Sequence, residues 1–360
     1  MIEIVVPATS ANLGPGFDCL GLALGLANRF RVELAPEYRV DGCPPEWAGD
    51  DNLFLRSFRH ACERLGAPVP PVALRFMTEI PPARGLGSSA SLAVAGAAAA
   101  LLLTEEARGN DILTATARTP SGTARASGDL HDILHDILHA PHNARFLLRA
   151  ATDIEGHPDN AAPAIFGGFT AAAISGEDII VSRSDLPASW QYIACIPDFN
   201  LETSLARRAL PDSYPRVDVV HALSHAALMA LAIEKADAEL LRLACEDRVH
   251  EPYRGTLIAD FDIVTEVCRA HACSAVWISG SGPTILAAFD TAKMTDSGAR
   301  TDSLTPSTAT AQSAPLLADV AESISVAIAA RATQSWRILS LSGDNQGIRA
   351  RHIHPRKECS

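Results

Sequence analysis

The sequence predicts an α+β protein with two lobes. Its 360 residues correspond to roughly two domains, at about 150 residues per domain. Short segments in which apolar and polar side chains alternate are interspersed with longer segments of helical spacing. The order of these segments begins with β-α-β units, continues with strands and ends with helices, and this order is typical of the α+β class.

The strand-like segments differ in their local signals. Residues 2–6 form an apolar run that ends at Pro7, and the turn-forming residues of 7–18 predict a loop. Alternating apolar side chains predict strands at 29–34 and 72–76.

The helical segments are recognised by apolar residues that recur every three to four positions. Residues 52–65 show this spacing and follow two aspartates that can cap a helix. Residues 88–103 are rich in alanine and apolar on nearly every face, so we expect a buried helix. Near the C-terminus, 316–330 has the pattern of a helix and 336–341 that of a strand.

Two polar segments look like insertions, one at about 105–143 and one at about 291–313. Their low apolar content predicts that both are mobile. The first contains His131, His135 and His139 on one helical stripe, a spacing that zinc or nickel sites also use. The leucines and isoleucines beside them form an apolar face, so we interpret this part as an amphipathic helix with a polar edge.

The overall charge narrows the class of partner. A formal net charge of -12 at pH 7 argues against nucleic acid or an anionic membrane as the main partner.

No uninterrupted apolar run reaches the ~20 residues of a membrane span, and the N-terminus lacks the basic region of a secretory signal. The eight cysteines are scattered without a CxxC pair, which indicates reduced thiols in a cytoplasmic protein.

The most informative segment is PPARGLGSSA, residues 81–90, which follows a strand and opens the alanine-rich helix. Gly85 and Gly87 allow a positive φ and a close approach of the backbone to a phosphate. The helix N-terminus adds unpaired N–H groups and the positive end of the helix dipole, which bind anions. No lysine follows the second glycine, so the segment is not a P-loop. On this context alone, a glycine turn with serine caps is an equally good interpretation.

The same segment resembles the PxxxGLGSSAA motif of the GHMP small-molecule kinases. PATSANLGPGFDCLGLAL near the N-terminus resembles their first motif, and ISGSGPTI at 278–285 resembles their third, a glycine-rich turn between strands. The resemblance implies a two-lobed α+β fold with the active site between the lobes. It places an ATP-binding lobe at 1–187 and a ferredoxin-like lobe at 188–360, each carrying one of the two insertions.

Four further segments closely resemble homoserine kinases within that family: ANLGPGFDCLG, IEGHPDNAAPAIFGGF, ETSLARRALP and EPYR. Mevalonate kinases use a lysine in their first motif, whereas this chain has no lysine before Lys235. The resemblance implies ATP-dependent phosphorylation of the hydroxyl group of L-homoserine to O-phospho-L-homoserine, a step of threonine biosynthesis. A non-catalytic ligand-binding protein of the same fold, or a kinase for another small alcohol, is the alternative.

Homoserine is a zwitterion, so its site needs a carboxylate clamp, an ammonium acceptor and a group that aims the hydroxyl. The planar fork of arginine suits a carboxylate. The resemblance assigns the clamp to Arg207 and Arg254, and the other substrate contacts to Asn12, Asp18, His157 and Asn160. For catalysis we nominate Asp159, the nearby carboxylate, as a base or as a group that orients the hydroxyl, and the sequence leaves open whether a base exists. The resemblance adds Thr203, near the phosphate, and Arg207.

Each of these polar residues also has a purely structural interpretation. Asp18 is a candidate cap of a following helix, and Asp159 and Asn160 are candidate caps of the segment that begins at Ala161. His157 is equally well interpreted, taken alone, as a structural histidine.

The resemblance further implies ATP and Mg²⁺ as cofactors. The family uses a glutamate and the first serine of the GSS triplet as metal ligands, which correspond to Glu155 and Ser88, with Asp153 as the alternative to the glutamate. Asn52 corresponds to a residue near the adenine but is also a good helix N-cap. The remaining nucleotide contacts are expected from Pro81, Arg84, Gly85, Leu86, Gly87, Ser88, Ser89 and Ala90. Homoserine kinases commonly form homodimers, so a homodimer is expected here too.

Overall fold

The structure is a computed structural model and describes residues 1–107, 130–295 and 309–353. Its strands form two sheets in which most neighbouring strands are antiparallel. The first sheet has seven strands in the order β11-β1-β2-β4-β3, with β5 paired to β2 and β6 to β5. Its strands, numbered in chain order, are β1 (Ile2–Asn12), β2 (Gly16–Leu34), β3 (Arg39–Asp41), β4 (Val72–Met77), β5 (Phe169–Ser175), β6 (Asp178–Ser184) and β11 (Arg349–His352).

The second sheet has four strands in the order β10-β7-β9-β8. Its strands are β7 (Trp190–Pro197), β8 (Ala275–Ile278), β9 (Ile285–Asp290) and β10 (Trp336–Ser342). If these four strands are numbered 1 to 4 in chain order, their order in the sheet is 4-1-3-2. Helices connect the first strand to the second and the third strand to the fourth. That topology is the split β-α-β of a ferredoxin-like lobe, which confirms the predicted fold class.

Twelve helices lie within the described residues, and α2 and α4 carry parts of the site discussed below. They are α1 (Leu53–Arg64), α2 (Ser88–Ala107), α3 (Leu130–His139), α4 (Pro141–Glu155), α5 (Ala161–Phe166), α6 (Thr203–Arg208), α7 (Arg216–Glu234), α8 (Ala238–Ala244), α9 (Glu251–Arg254), α10 (Phe261–Ala270), α11 (Thr291–Thr295) and α12 (Ala309–Ala329).

The N-terminal segment differs from its prediction. We expected a strand that ends at Pro7 and a loop over 7–18, whereas β1 continues to Asn12 and β2 begins at Gly16. The two strands form one long hairpin, and its register shifts between Pro7 and Ala8. Proline is accommodated at this irregularity because it has no N–H group to donate to a regular ladder.

The chain also returns to its first sheet at the end. The register of β11 pairs Ile2 with His352 and Val5 with Arg349, so these residues do not lie with the second sheet as expected for 188–360. The pairing covers the edge of β1, which would otherwise leave unpaired backbone groups. The expected boundary at residue 187 falls between β6 and β7, and the division at that residue stays a prediction.

Both expected insertions are partly helical. The first contains the end of α2, the whole of α3 and the start of α4, and the second contains α11 and the start of α12. Residues 108–129 and 296–308, on which the expectation of mobility mainly rested, lie outside the described residues.

The helix α3 has the amphipathic character that we inferred for the histidine segment. Leu134 and Leu138 are fully buried in the core of the first lobe. His139 donates from Nε2 to the carbonyl oxygen of Ile348 at 2.9 Å, and its ring lies 4.2 Å from that of His135. The described histidines therefore form the polar edge of a packed helix.

Two helices, α2 and α7, are long and apolar enough to cross a membrane by length and composition alone. Of the apolar window in α2, 72% is buried inside the protein, as expected for a core helix. Only 17% of the corresponding window in α7 is buried, and this helix exposes several valines and leucines. Two such helices are weak evidence for a membrane span.

Close packing of α1 against α2 fixes the position of the phosphate-loop helix. Gly96 lies where α2 crosses α1, and a Cβ atom there would come within 2.3 Å of the carbonyl oxygen of Phe54. The ring of Phe54 packs in turn against Phe30 at 5.5 Å and Phe76 at 6.3 Å. Glycine at this position lets the two helices approach without strain.

We expect Gly96→Ala to lower the free energy of unfolding by about 1–3 kcal/mol, because the added methyl group overpacks the helix crossing. Gly49→Ala is the matched control, since a Cβ atom at Gly49 meets nothing within 4 Å. Urea unfolding of the two variants measures the difference. Equal stability of both variants would contradict the close crossing.

Candidate active site

A cavity of about 430 Å³ lies between the lobes and is lined by both. The structure brings the predicted substrate and catalytic residues together on its wall, although they are far apart in the sequence. They are Asn12, Asp18, His157, Asp159, Asn160, Thr203, Arg207 and Arg254. Glu155, Arg84, Gly85, Gly87, Ser88, Ser89 and Ala90 line the same cavity.

The three sequence motifs meet at the turn that follows β8. The Ser279 hydroxyl donates to the carbonyl oxygen of Gly85 at 2.7 Å, which joins this turn to the phosphate loop. The carbonyl oxygen of Gly280 accepts from Asn12 Nδ2 at 2.7 Å and from Arg254 Nη1 at 3.1 Å. One turn therefore positions the phosphate loop, the end of β1 and the buried arginine relative to one another.

The phosphate loop needs glycine at two positions. Gly85 has φ of +73° and Gly87 has φ of +71°, and a Cβ atom at either would lie within about 2 Å of a neighbouring oxygen. The loop ends at the N-terminus of α2, where Ser88 and Ser89 line the cavity. The first turn of a helix leaves N–H groups without intrahelical partners, so this end of α2 attracts an anion.

Glu155, at the C-terminus of α4, faces this helix N-terminus. Its Oε1 atom accepts from the Ser89 hydroxyl at 2.6 Å, so the structure pairs it with the neighbour of the predicted Ser88. Burial raises the pKa of Glu155, against the opposing effect of the Ser89 hydrogen bond. Asp153, the alternative metal ligand, instead forms ion pairs with Arg149 at 2.6 Å and Arg64 at 3.0 Å. Asp153 thus contributes to packing of α4 rather than to the cavity.

His157 and Asp159 form a hydrogen-bonded pair on the wall of the cavity. His157 Nδ1 contacts Asp159 Oδ1, and the Asp159 residue is only 1% exposed. Burial lowers the pKa of His157, but the hydrogen bond and the charge of Asp159 outweigh it, so the pKa is raised overall. Asp159 Oδ2 has no hydrogen-bond partner within the described residues and can accept from a ligand. Asn160 does not cap α5 and accepts instead from Thr9 Oγ1 at 2.7 Å.

The two arginines are held differently. Arg207 binds Asp18 through two hydrogen bonds of 3.0 and 2.8 Å, and Asp18 lies in β2 rather than at a helix cap. Arg254 is only 2% exposed, and no carboxylate of the described residues forms an ion pair with it. Both guanidinium groups lie over the ring of Phe17, at 5.7 and 5.1 Å from its centre.

The charge of Arg254 is therefore buried without a direct ion-pair partner among the described residues, and Asp18, Asp159 and Asp247 attract it only from a longer distance. Its Nε and Nη1 atoms donate to backbone oxygens of Ala206 and Gly280, while Nη2 has no partner within the described residues. Burial, and then repulsion by Arg207, lower the pKa of Arg254. A buried charge of this kind is costly unless a partner compensates it, so the cavity favours a ligand carboxylate.

A second cavity, of about 530 Å³, adjoins the first and shares Leu53, Ala83, Ser88 and Ser89 with it. Its wall includes Trp47, Phe76 and Leu92, so it is more apolar than the first. Asn52, which we predicted near the adenine, lines this cavity, and it also caps α1 by accepting from Phe54 N at 3.0 Å and Leu55 N at 3.3 Å. Pro81 and Leu86, two of the predicted nucleotide contacts, line neither cavity. The side chain of Leu86 is instead buried in a hydrophobic core cluster.

Comparison with known proteins decides the family. Residues 52–129 match the model of the GHMP kinases N-terminal domain, and 229–294 match that of the GHMP kinases C-terminal domain. The chain is 34% identical over 287 residues to a homoserine kinase of Clostridium botulinum (strain ATCC 19397 / Type A), covering 79% of this chain and 85% of the relative. This chain belongs to the homoserine kinase family.

Other homoserine kinases agree with this assignment. The homoserine kinase of a Synechocystis species (strain PCC 6803) is 35% identical over 295 residues, covering 80% of this chain and 85% of that protein. A putative homoserine kinase of Listeria monocytogenes has a solved structure that matches with a TM-score of 0.66 at 25% identity, over 98% of this chain and 100% of that one. A homoserine kinase of Cytophaga hutchinsonii, at 22% identity and a TM-score of 0.68 over 97% and 96% of the chains, shares the fold.

Sequence reasoning missed several residues of the site. Ser281 contacts the predicted Thr203 through a hydroxyl–hydroxyl distance of 3.2 Å, and Phe17 stacks against both arginines. Both lie inside the segments that carry the family resemblance, so attention to those motifs residue by residue could have found them. Trp47 has no such signal, because only the fold brings it to the second cavity.

Glu251 supports the site from behind. Its Oε1 atom accepts from Ile278 N at 2.6 Å, directly before the turn that holds Arg254. Burial, and then the charge of Asp247, raise the pKa of Glu251 to about 8. The side chain therefore carries its proton at neutral pH in the folded protein.

We expect the free energy of unfolding of Glu251→Gln, minus that of the parent, to increase as the pH rises from about 5 to 9. The folded parent retains a proton that the unfolded chain releases above its ordinary pKa, so its free energy of unfolding falls with pH by at most about 1.4 kcal/mol per unit. The glutamine keeps an oxygen acceptor for Ile278 N and does not titrate. Urea unfolding at several pH values, with the exposed Glu239→Gln as control, measures the difference. Parallel pH profiles for parent and Glu251→Gln would contradict the raised pKa.

Proposed function

We propose that this chain transfers the γ-phosphoryl group of ATP to the hydroxyl group of L-homoserine, as a homoserine kinase of threonine biosynthesis. The observation that carries the proposal is the buried Arg254, which lies in the same cavity as the phosphate loop and has no direct ion-pair partner among the described residues. A small acceptor with a carboxylate satisfies this arginine and lies within reach of a phosphate at the N-terminus of α2. A plain alcohol or sugar would leave the charge unpaired.

In this proposal the substrate carboxylate binds Arg254, with Arg207 beside it. The α-ammonium group lies against Asp18, whose charge Arg207 already shares through its paired hydrogen bonds. Both guanidinium groups lie over the ring of Phe17, and this cation–π contact favours their positive charges. The zwitterion is thereby held by charges of both signs, which fixes the direction of its hydroxyl group.

The hydroxyl group would face Asp159. The free Oδ2 atom accepts the hydroxyl hydrogen, while the hydrogen bond from His157 to Oδ1 holds the carboxylate in place. The hydroxyl oxygen forms a bond to phosphorus as the bond to the ADP oxygen breaks, and the proton passes to Asp159 or to water. Positioning and charge neutralisation provide most of the acceleration in such transfers.

The nucleotide would span the two adjoining cavities. The apolar cavity with Trp47 and Phe76 suits the base, and the shared wall at Ser88 and Ser89 suits the phosphates. Arg84 lines the phosphate end, and none of the described residues gives its buried Nη1 atom a hydrogen bond. A phosphate oxygen would satisfy that atom.

The donor set beside the phosphate loop fits Mg²⁺. Glu155 and the two serine hydroxyls offer oxygen ligands, and no cationic side chain of the described residues pairs with Glu155. We assign the ion to Glu155 with Ser88 and Ser89. When bound, Mg²⁺ neutralises charge on the β- and γ-phosphates.

A homodimer and a cytoplasmic location complete the proposal. The exposed face of α7 carries Val217 at 64%, Val220 at 58% and Leu223 at 68% exposure, next to Leu243 at 55%. Apolar rows of this kind support association with a second copy. Sedimentation of the protein across a range of concentrations, compared with Leu223→Glu, tests the dimer.

The reaction itself is tested by measuring ADP release from Mg·ATP with L-homoserine, mevalonate, galactose or no acceptor. We expect release above the background only with homoserine, and O-phosphohomoserine as the product in the phosphorus NMR spectrum. Binding of ATP without turnover of any acceptor would favour a non-catalytic ligand-binding protein. Turnover of another alcohol alone would overturn the substrate.

We expect Arg254→Ala to raise the KM for homoserine by about 10- to 100-fold, since an ionic hydrogen bond of about 1.5–3 kcal/mol is lost, with little change in the KM for ATP. The parent should discriminate strongly between homoserine and 3-aminopropan-1-ol, which lacks the carboxylate, and the variant should not. Arg84→Ala is the matched control and should raise the KM for ATP instead. Equal changes of both KM values in Arg254→Ala would remove Arg254 from the substrate site.

A further inference from the structure

A second cluster of histidine and carboxylate side chains lies on the outer side of the second lobe. His221 and His225 are one turn apart on α7, and Glu246 lies in the segment between α8 and α9. One ligand atom of each residue lies within 4.8 Å of those of the other two. His221 Nε2 is 3.8 Å from Glu246 Oε1, and the two imidazole rings are stacked with centres 3.6 Å apart.

Hydrogen bonds prepare His225 as a metal ligand. Its Nδ1 atom lies 2.9 Å from the carbonyl oxygen of His221, and a carbonyl only accepts. Nδ1 therefore carries the hydrogen, and the lone pair of the neutral ring is on Nε2. Metal-bound histidines commonly donate from their second nitrogen to a carbonyl in this way.

His221 and Glu246 are already oriented toward each other. His221 Nε2 donates to the carbonyl oxygen of Glu246 at 3.1 Å, close to the carboxylate of the same residue. A metal ion would take the place of this hydrogen, and the neutral ring would carry its proton on Nδ1 instead. The carbonyl oxygen and the carboxylate of Glu246 both lie near that position.

A metal ion at this cluster would compete with Arg248 for the carboxylate of Glu246. Arg248 lies 3.1 Å from Glu246 and 3.7 Å from Asp218, so one guanidinium group currently serves two carboxylates. These ion pairs are solvent-exposed and contribute little to stability. A divalent ion can therefore bind Glu246 while Arg248 remains with Asp218.

We propose that His221, His225 and Glu246 form a binding site for a divalent transition metal ion of the Zn²⁺ type, separate from the phosphoryl-transfer site. Two imidazoles and one carboxylate, completed by water, are an open zinc ligand set. Imidazole ligands select Zn²⁺ over Mg²⁺, so the magnesium that accompanies ATP does not compete.

The bound ion would connect two elements behind the substrate arginine. Glu246 directly precedes Asp247, whose carboxylate accepts from the backbone N–H groups of His250 and Glu251 at 2.7 Å and so begins α9. That helix ends at Arg254. Metal binding would thus fasten α7 to the segment that carries α9 and stabilise the lobe.

The other histidine pair of the described residues is less suited to this role. His139 uses Nε2 to bind the carbonyl oxygen of Ile348, and no carboxylate of the described residues joins that pair within ligand distance. His135→Ala is therefore a matched control, because it removes one histidine from a helical pair one turn apart.

The test is a titration of chelator-treated full-length protein with Zn²⁺, in competition with a chromophoric chelator and in the presence of excess Mg²⁺. We expect one Zn²⁺ per chain in the parent and in His135→Ala, with affinity at least about tenfold lower in His225→Ala and Glu246→Gln. Zinc should raise the thermal midpoint of the parent but not of His225→Ala. Co²⁺ should give the visible absorption of a four-coordinate site in the parent and in His135→Ala, but not in His225→Ala.

Three results would overturn the proposal. Equal zinc affinity in the parent and His225→Ala would place the ion elsewhere, and loss of binding in His135→Ala would place it on α3. One Zn²⁺ per two chains, with formation of a dimer on zinc addition, would mean that two copies share the ion. A thermal midpoint of metal-free His225→Ala equal to that of the metal-free parent shows that the variant is folded, so its loss of binding is interpretable.

Discussion

The carbonyl oxygen of Gly280 is the contact on which the geometry of the cavity depends. It accepts from Asn12, at the end of the first hairpin, and from the buried Arg254, in the second lobe. The adjacent Ser279 hydroxyl binds the phosphate loop at Gly85. Two successive residues of one turn thus fix three distant segments, and each of those segments carries one part of the proposed chemistry. The left-handed backbone at Asn12, with φ of 70°, is sustained because this contact and the Asp18 N–H group hold its side chain.

Two ends of the cavity suit two different negatively charged groups, a polyphosphate and a carboxylate. The phosphate loop offers backbone N–H groups and a helix dipole, which suit the spread charge of a polyphosphate. The substrate end offers a buried guanidinium, which suits a small carboxylate. Asp159 and His157 form a hydrogen-bonded pair on the wall of the same cavity.

Local patterns predicted the elements whose stability is local. The spacing of α1, the alternation of β4 and the uniform apolarity of α2 each reflect one face, or every face, of an element packed on the core. The prediction of a loop over 7–18 was wrong for most of that segment. Its turn-forming residues lie in the β1–β2 hairpin because pairing between the strands outweighs their own conformational preferences. The return of β11 to the first sheet could not be inferred either, since nothing in four residues near the C-terminus specifies a partner more than 300 positions away.

For the site, too, the sequence predicted some features and left others to be determined by the fold. Motif resemblance found the glycines, serines and arginines of the cavity, because these residues stand in the segments that resemble the family. It named Ser88 as a metal ligand together with Glu155, and this assignment stays a prediction; the hydroxyl group that contacts Glu155 in the structure is that of Ser89. Helical spacing, not the resemblance, singled out the histidines of α3, which we interpreted as a polar edge. The cluster of histidines with a carboxylate forms instead from α7 and a distant segment.

The central claim is that Arg254 is the counter-ion of a substrate carboxylate placed beside the phosphate loop. A crystal structure with L-homoserine, Mg²⁺ and a non-hydrolysable ATP analogue tests it most directly. We predict that the homoserine carboxylate lies within hydrogen-bond distance of Arg254, with the hydroxyl oxygen between Asp159 and the terminal phosphate. A homoserine carboxylate bound at the N-terminus of α2, or an Arg254 without a ligand contact in the ternary complex, would contradict it.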